Sequence, residues 1–248
     1  MSANDENLKQ LPLKFAPRND MGREDFMVSE CNREAYRMIE SWPDWLSSGL
    51  FLYGPKGCGK SHLAHLFLDK LRSSSEKPLS AKIIAASAVN IRRVKRLAEE
   101  NTALIIENVE PKNNNEALFH LFNLFNVPGR YMLWTAETAP GRMSFPLRDL
   151  DTRLKMLPCV SISEPDDMML QMLIVKLFDD RQIKISPEIL NYIMNNASRS
   201  FAYIEDLVNE IDKISLAYQA AVNYTIVRQA MEWLAVRDKR EPDLFDDC

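Results

Sequence analysis

Residues 49–71 read GLFLYGPKGCGKSHLAHLFLDKL, and no other stretch narrows the possible folds so far. A short apolar run leads into a glycine-rich turn and then into apolar residues at helical spacing. The segment therefore predicts a buried strand, a turn and an amphipathic helix. The turn, Gly54-Pro55-Lys56-Gly57-Cys58-Gly59-Lys60-Ser61, fills the pattern GxxxxGK followed by Ser or Thr, and it holds three of the chain's seven glycines. Backbone amides in such a turn, with the N-terminus of the next helix, make a nest for negative oxygen. Lys60 places a point charge near the outer phosphates of a nucleotide, and Ser61 offers its hydroxyl to Mg²⁺. The expected nucleotide-binding set is Gly54, Pro55, Lys56, Gly57, Cys58, Gly59, Lys60, Ser61 and the adjoining His62.

The rest of the chain extends this pattern. Ala35, Ile39 and Trp42 predict a helix stopped by Pro43. Ala81–Ala85, Ala103–Ile106, Tyr131–Trp134 and Val160–Ile162 read as strands, with Ile91–Glu100 and Asn115–Phe125 as helices between them. Such alternation predicts a parallel α/β sheet covered on both faces. After Pro165 only helices are expected: Asp166–Asp179, Pro187–Asn196, Phe201–Tyr218 and Ile226–Val236. Ser186 and Thr225 are the expected caps of the second and fourth. The organisation read here is a leader at 1–20, an α/β core at 21–163, a helical lid at 164–236 and an acidic tail at 237–248.

Composition excludes several classes. A net charge of −4 gives no overall basic field for nucleic acid. The densest basic run, Arg92, Arg93, Lys95 and Arg96, reads as a solvated helix face. Cys31, Cys58, Cys159 and Cys248 form no CxxC pair, so neither a disulfide framework nor a zinc site is expected. His62 and His65 lack a third ligand, and Cys58 reads as a small thiol filling a loop position rather than a redox switch. No apolar run is long enough to span a membrane, and the polar start carries no targeting signal. The expected location is the cytoplasm.

Hydrolysis requires more than the loop. The strand Ala103–Ile106 ends in Glu107 and Asn108. Glu107 can serve Mg²⁺, whereas an amide at 108 can orient a water but not take its proton. Intrinsic turnover is expected to be weak or absent.

Asp25-Phe26-Met27-Val28-Ser29-Glu30-Cys31-Asn32-Arg33-Glu34-Ala35 resembles the opening motif of DnaA-type AAA+ ATPases. Trp42-Pro43-Asp44-Trp45, with the phosphate loop that follows, resembles the Hda-type DnaA-related regulators of proteobacteria, the α-proteobacterial branch above all. The likeness runs over roughly residues 8–236. It implies an AAA+ core with a five-stranded parallel sheet of order 5-1-4-3-2, followed by a small all-helical lid. It also implies roles: Thr135 near the sensor-1 position, after its strand, and Arg153 in Asp151-Thr152-Arg153-Leu154 as an arginine finger acting in trans. The lid's sensor-2 arginine should fall near Ala202, which cannot reach a phosphate; Arg199 is the nearest substitute. An initiator carries a helix-turn-helix domain after the lid, and none is legible here, so sequence-specific DNA binding is not expected.

Gln10-Leu11-Pro12-Leu13-Lys14-Phe15 resembles the peptide by which bacterial proteins dock on the DNA polymerase sliding clamp (its β subunit). Gln10, Leu11, Leu13 and Phe15 are the expected contacts; folding of the leader back on the core is the alternative. Together these readings imply a clamp-tethered, nucleotide-bound (ADP or ATP, with Mg²⁺) negative regulator that stimulates ATP hydrolysis by the DnaA initiator. An independent ATPase of the helicase-loader kind and an adaptor with a vestigial loop are the alternatives. Homo-oligomerisation stays open.

Overall fold

A computed structural model gives the fold of residues 26–74 and 78–240, the side chains of 238–240 apart. The expected clamp peptide Gln10–Phe15, the rest of the leader and Asp25 lie outside the described residues, as does the tail from 241.

Five strands form one parallel sheet: β1 (Gly49–Tyr53), β2 (Ala81–Ala85), β3 (Ala103–Glu107), β4 (Tyr131–Ala136) and β5 (Cys159–Ser161). Their order is β2-β3-β4-β1-β5, which read from the other edge is the expected 5-1-4-3-2. Leu52 of β1 pairs with Thr135 on one side and Val160 on the other. Side chains of a strand alternate between faces, and β1 shows why its run is apolar throughout. Leu50 and Leu52 join one buried cluster with α1 (Arg33–Glu40) and α2 (Lys60–Arg72). Phe51 joins a second with α3 (Ile91–Glu100), α4 (Asn115–Phe125) and α5 (Arg148–Met156). A strand buried on both faces cannot afford a polar residue on either.

Four further helices follow the sheet: α6 (Asp167–Asp179), α7 (Pro187–Asn196), α8 (Phe201–Tyr218) and α9 (Tyr224–Arg240). They bury a third cluster of their own, including Ile174, Phe178, Ile193, Leu207 and Ile211. Met169 of α6 and Phe201 of α8 instead lie in the first cluster, against the sheet side. Asp166 caps α6 by accepting from the Met169 amide at 2.8 Å and also accepts from the Cys31 amide at 3.2 Å. Partial burial opposes its ionisation, but the bonds from Met169, Ser29 and Cys31 outweigh it and hold its carboxyl below the ordinary range.

Several expectations need correction. Thr135 lies inside β4, because that strand continues to Ala136. The last strand is Cys159–Ser161, one residue earlier than expected. Helix α5 was not expected: of its nine residues only Leu150 and Leu154 are buried, too few for a visible stripe. The last helix is capped not by Thr225 but by Asn223, whose side chain accepts from the Thr225 and Ile226 amides at 3.0 and 3.2 Å. It also runs on to Arg240, into the stretch assigned to the tail. Among the described residues, no helix is long and apolar enough to cross a membrane.

Candidate functional site

The loops after β1, β3 and β4 converge at the carboxyl ends of the strands, where open α/β sheets bind ligands. There they enclose a cleft of about 790 Å³. Lys56, Gly57, Gly59, Lys60, Ser61 and His62 of the loop and helix line it, together with Asn108, Glu110, Glu137 and Glu205 among others.

The loop's shape depends on its glycines. Gly59 has φ +92° where it caps α2, and Gly57 has φ +78°, a region that side chains disfavour. At Gly54 the limit is space, since an added Cβ would lie 2.5 Å from the Ile162 carbonyl oxygen and 3.0 Å from Cys58 Sγ. Gly54, Pro55 and Cys58 are not among the residues that line the cleft. Lys60 is only 7% exposed, and its Nζ donates to the Gly54 and Pro55 carbonyls at 2.8 Å each. The ammonium thus pins the loop while lining the cleft. Burial pushes the Cys58 thiol above its ordinary range, against the pull of Lys60 at 3.8 Å.

Asn108 adopts φ +56°, and its amide donates to Thr135 Oγ1 at 3.3 Å. The Val109 amide donates to the Thr135 carbonyl at 2.8 Å. Thr135 is 1% exposed and does not line the cleft. Its task here is to hold the turn that presents Asn108. Asparagine tolerates left-handed backbone better than most residues, which gives position 108 a backbone reason for its identity beside the chemical one.

Glu107 has a buried carboxylate oxygen, Oε1, without a hydrogen-bond partner. No group of three His, Cys, Asp or Glu among the described residues forms a metal cage. Mg²⁺ on a nucleotide needs none, because one or two protein oxygens plus phosphates and water complete its shell. Ser61 on the cleft wall can supply one such oxygen; Glu107 precedes Asn108 of that wall without lining the cleft itself, and its unpartnered oxygen is the other candidate.

The helices after the sheet contribute differently from expectation. Arg199 pairs with Asp167 at 2.6 Å and does not line the cleft. Ala202 sits against the phosphate loop: a methyl on Gly57 would come within 3.2 Å of its amide nitrogen. The α8 residue that lines the cleft is Glu205, three positions after Ala202, where the resemblance places the sensor-2 arginine. Arg153 stands elsewhere, on α5, with its guanidinium carbon 5.3 Å from the Phe119 ring centre and 5.6 Å from that of Phe122.

Sequence reasoning missed Glu110, Glu137 and Glu205, which only tertiary packing brings to the cleft. It also missed the aromatic group beside it. Phe26 stacks on Tyr36 at 5.7 Å and meets His62 edge-on at 5.1 Å, with its ring over Gly59. His65 Nδ1 bonds the Ser61 carbonyl at 2.8 Å. On α3, Lys95 and Arg96 pair with Glu99 and Glu100, as a solvated face should.

The model of the bacterial DnaA ATPase domain matches residues 18–157. An uncharacterized protein of Haemophilus influenzae is 26% identical over 226 residues, 88% of this chain and 95% of that one. The chromosomal replication initiator protein DnaA of Buchnera aphidicola is 24% identical over 87% of this chain, which spans 53% of that initiator's length. Among solved structures, domain III of the Thermotoga maritima replication initiation protein DnaA superposes with a TM-score of 0.73 at 18% identity, over 88% of this chain and 98% of that one. AMPPCP-bound DnaA from Aquifex aeolicus gives 0.62 at 20% identity, over 78% and 64%.

Proposed function

The chain belongs to the bacterial DnaA ATPase-domain family, and on that footing we propose that it is a regulator acting on a DnaA initiator, of the Hda type. In this reading the loop Gly54–Ser61 holds an adenine nucleotide as a structural ligand. Ser61 and Glu107 would hold its Mg²⁺, which when bound neutralises phosphate charge. The chain's own cleft is poorly equipped for turnover. Asn108 has no basic site for a water's proton, and from α8 the cleft receives Glu205 rather than a cation.

The observation that carries the proposal is the position of Arg153. It does not line the chain's own cleft, it is half-buried on α5, and it pairs with no carboxylate among the described residues. A guanidinium so placed can serve a nucleotide held by another molecule. There it would offset charge on the transferring phosphoryl group, a contribution of about 10³–10⁵ in rate where such fingers operate. Gln10, Leu11, Leu13 and Phe15 would dock on the DNA-loaded sliding clamp and bring Arg153 to DnaA-ATP. The outcome is a negative regulator of replication initiation that completes a composite active site.

The test is ATP hydrolysis by purified DnaA-ATP with this protein and DNA-loaded clamp, added singly and together. Stimulation only with both, lost in Arg153→Ala, is expected. Strong hydrolysis by this protein alone would replace the proposal with an independent ATPase of the helicase-loader kind. Silence in every mixture would leave an adaptor.

A further inference from the structure

From the packing of α4 against α5, we infer that Phe119 and Phe122 are positioning residues that hold the Arg153 guanidinium ready for another molecule's nucleotide. The inference rests on the proposed role of Arg153 and adds how this chain meets its physical demands. An arginine free to rotate loses its rotamer freedom when it is finally fixed, at a cost to the step that fixes it. An ion pair would fix it in advance, but its carboxylate would neutralise the charge that has to be delivered. Aromatic faces avoid that conflict: the ring quadrupole attracts a cation without cancelling it.

The structure has the features this solution needs. The guanidinium carbon of Arg153 lies 5.3 and 5.6 Å from two ring centres, both inside the range in which cation–π attraction operates. The two rings belong to one helix, three residues apart, so they share a face. Phe122 is 7% exposed and tilts against Trp134 of β4 at 6.1 Å, which anchors the shelf in the second core cluster. Phe119 is only partly buried at the edge of that cluster, where its ring can face a side chain that must remain reachable. Of the two acids of α5, Asp151 pairs with Lys155 at 2.7 Å and accepts from the Phe145 amide at 3.1 Å, and Asp149 forms no ion pair with Arg153.

Phe119→Leu keeps apolar bulk and removes the π face, whereas Phe119→Tyr keeps the ring. In the DnaA-ATP and loaded-clamp assay, Phe119→Leu should lower the maximal stimulated rate about threefold to thirtyfold. The concentration for half-maximal stimulation should stay put, and Phe119→Tyr should match wild type. A second readout concerns geometry alone. The Arg153 Nε–H resonance should be shifted upfield by ring current in the full chain and in Phe119→Tyr, and should return toward its free position in Phe119→Leu. A normal rate in Phe119→Leu, or an equal loss in Phe119→Tyr, would overturn the positioning role while leaving the finger intact. Full activity of Arg153→Ala would overturn the finger, and the positioning role with it.

Discussion

Gly54→Ala is the sharpest test of the loop's construction, because it adds one methyl to a place with no strain in φ and no space. The added carbon would lie 2.5 Å from the Ile162 carbonyl oxygen, 3.0 Å from Cys58 Sγ and 3.2 Å from Ile162 Cβ. The nearest contact is backbone, so the loop and Ile162 must part by about half an ångström before the methyl is tolerated. That movement works against the bond by which the Ile162 amide donates to the Tyr53 carbonyl at 2.8 Å, and it drags the Gly54 carbonyl that receives Lys60. Overpacking of this kind costs about 1–3 kcal/mol, or about 2–12 °C in Tm for a chain of this length. Thermal unfolding reads the stability, and titration with a fluorescent ADP analogue reads the loop. The control is Gly141→Ala, where nothing lies within 4 Å and φ is not positive. It should be neutral or gain about 0.4–1 kcal/mol from a stiffer unfolded chain. An unchanged Tm and an unchanged nucleotide affinity in Gly54→Ala would refute the claim that contact with Ile162, just past β5, sets the loop.

Lys60→Ala should weaken ADP binding about tenfold to a hundredfold in the same titration, because it removes a charged donor to phosphate. Arg199→Ala should leave that affinity unchanged and cost under about 1 kcal/mol, since its partner is exposed Asp167; a large loss of affinity would place the guanidinium on the nucleotide after all. The Asp166 carboxyl is held below its unfolded value of about 3.9. Its contribution is therefore complete above that pH and fades as pH falls through the lower folded-state value. Acid unfolding of Asp166→Asn should lack that component of the pH dependence. Alkylation followed by peptide mass mapping should label exposed Cys159 well before buried Cys31 and Cys58, whose thiols burial pushes upward.

What could be read in the sequence was whatever a local pattern encodes. Helices α3, α4, α7 and α8 begin and end where periodicity and caps place them, with Ser186 accepting from the Ile189 amide as its position before Pro187 implies. The phosphate loop was legible because its chemistry demands particular residues at fixed spacing. Helix α5 was not, since two buried leucines among charged neighbours make no stripe. Thr135 was expected after its strand but lies within β4, which runs on to Ala136, and its bond to the Asn108 amide joins residues 27 apart. Glu205 and the rings beneath Arg153 were out of reach because their meaning comes from the element opposite.

Phe201 and Met169 are buried with the sheet although their helices belong to the bundle that follows it. The phenylalanine and the methionine seat the bundle on the side of the sheet that carries the phosphate loop. The alanine beside them lets α8 rest directly on the loop at Gly57. A nucleotide on that loop would have the start of α8 as its neighbour. On the function proposed above, a joint packed in this way would suit a chain that keeps its nucleotide as a structural ligand.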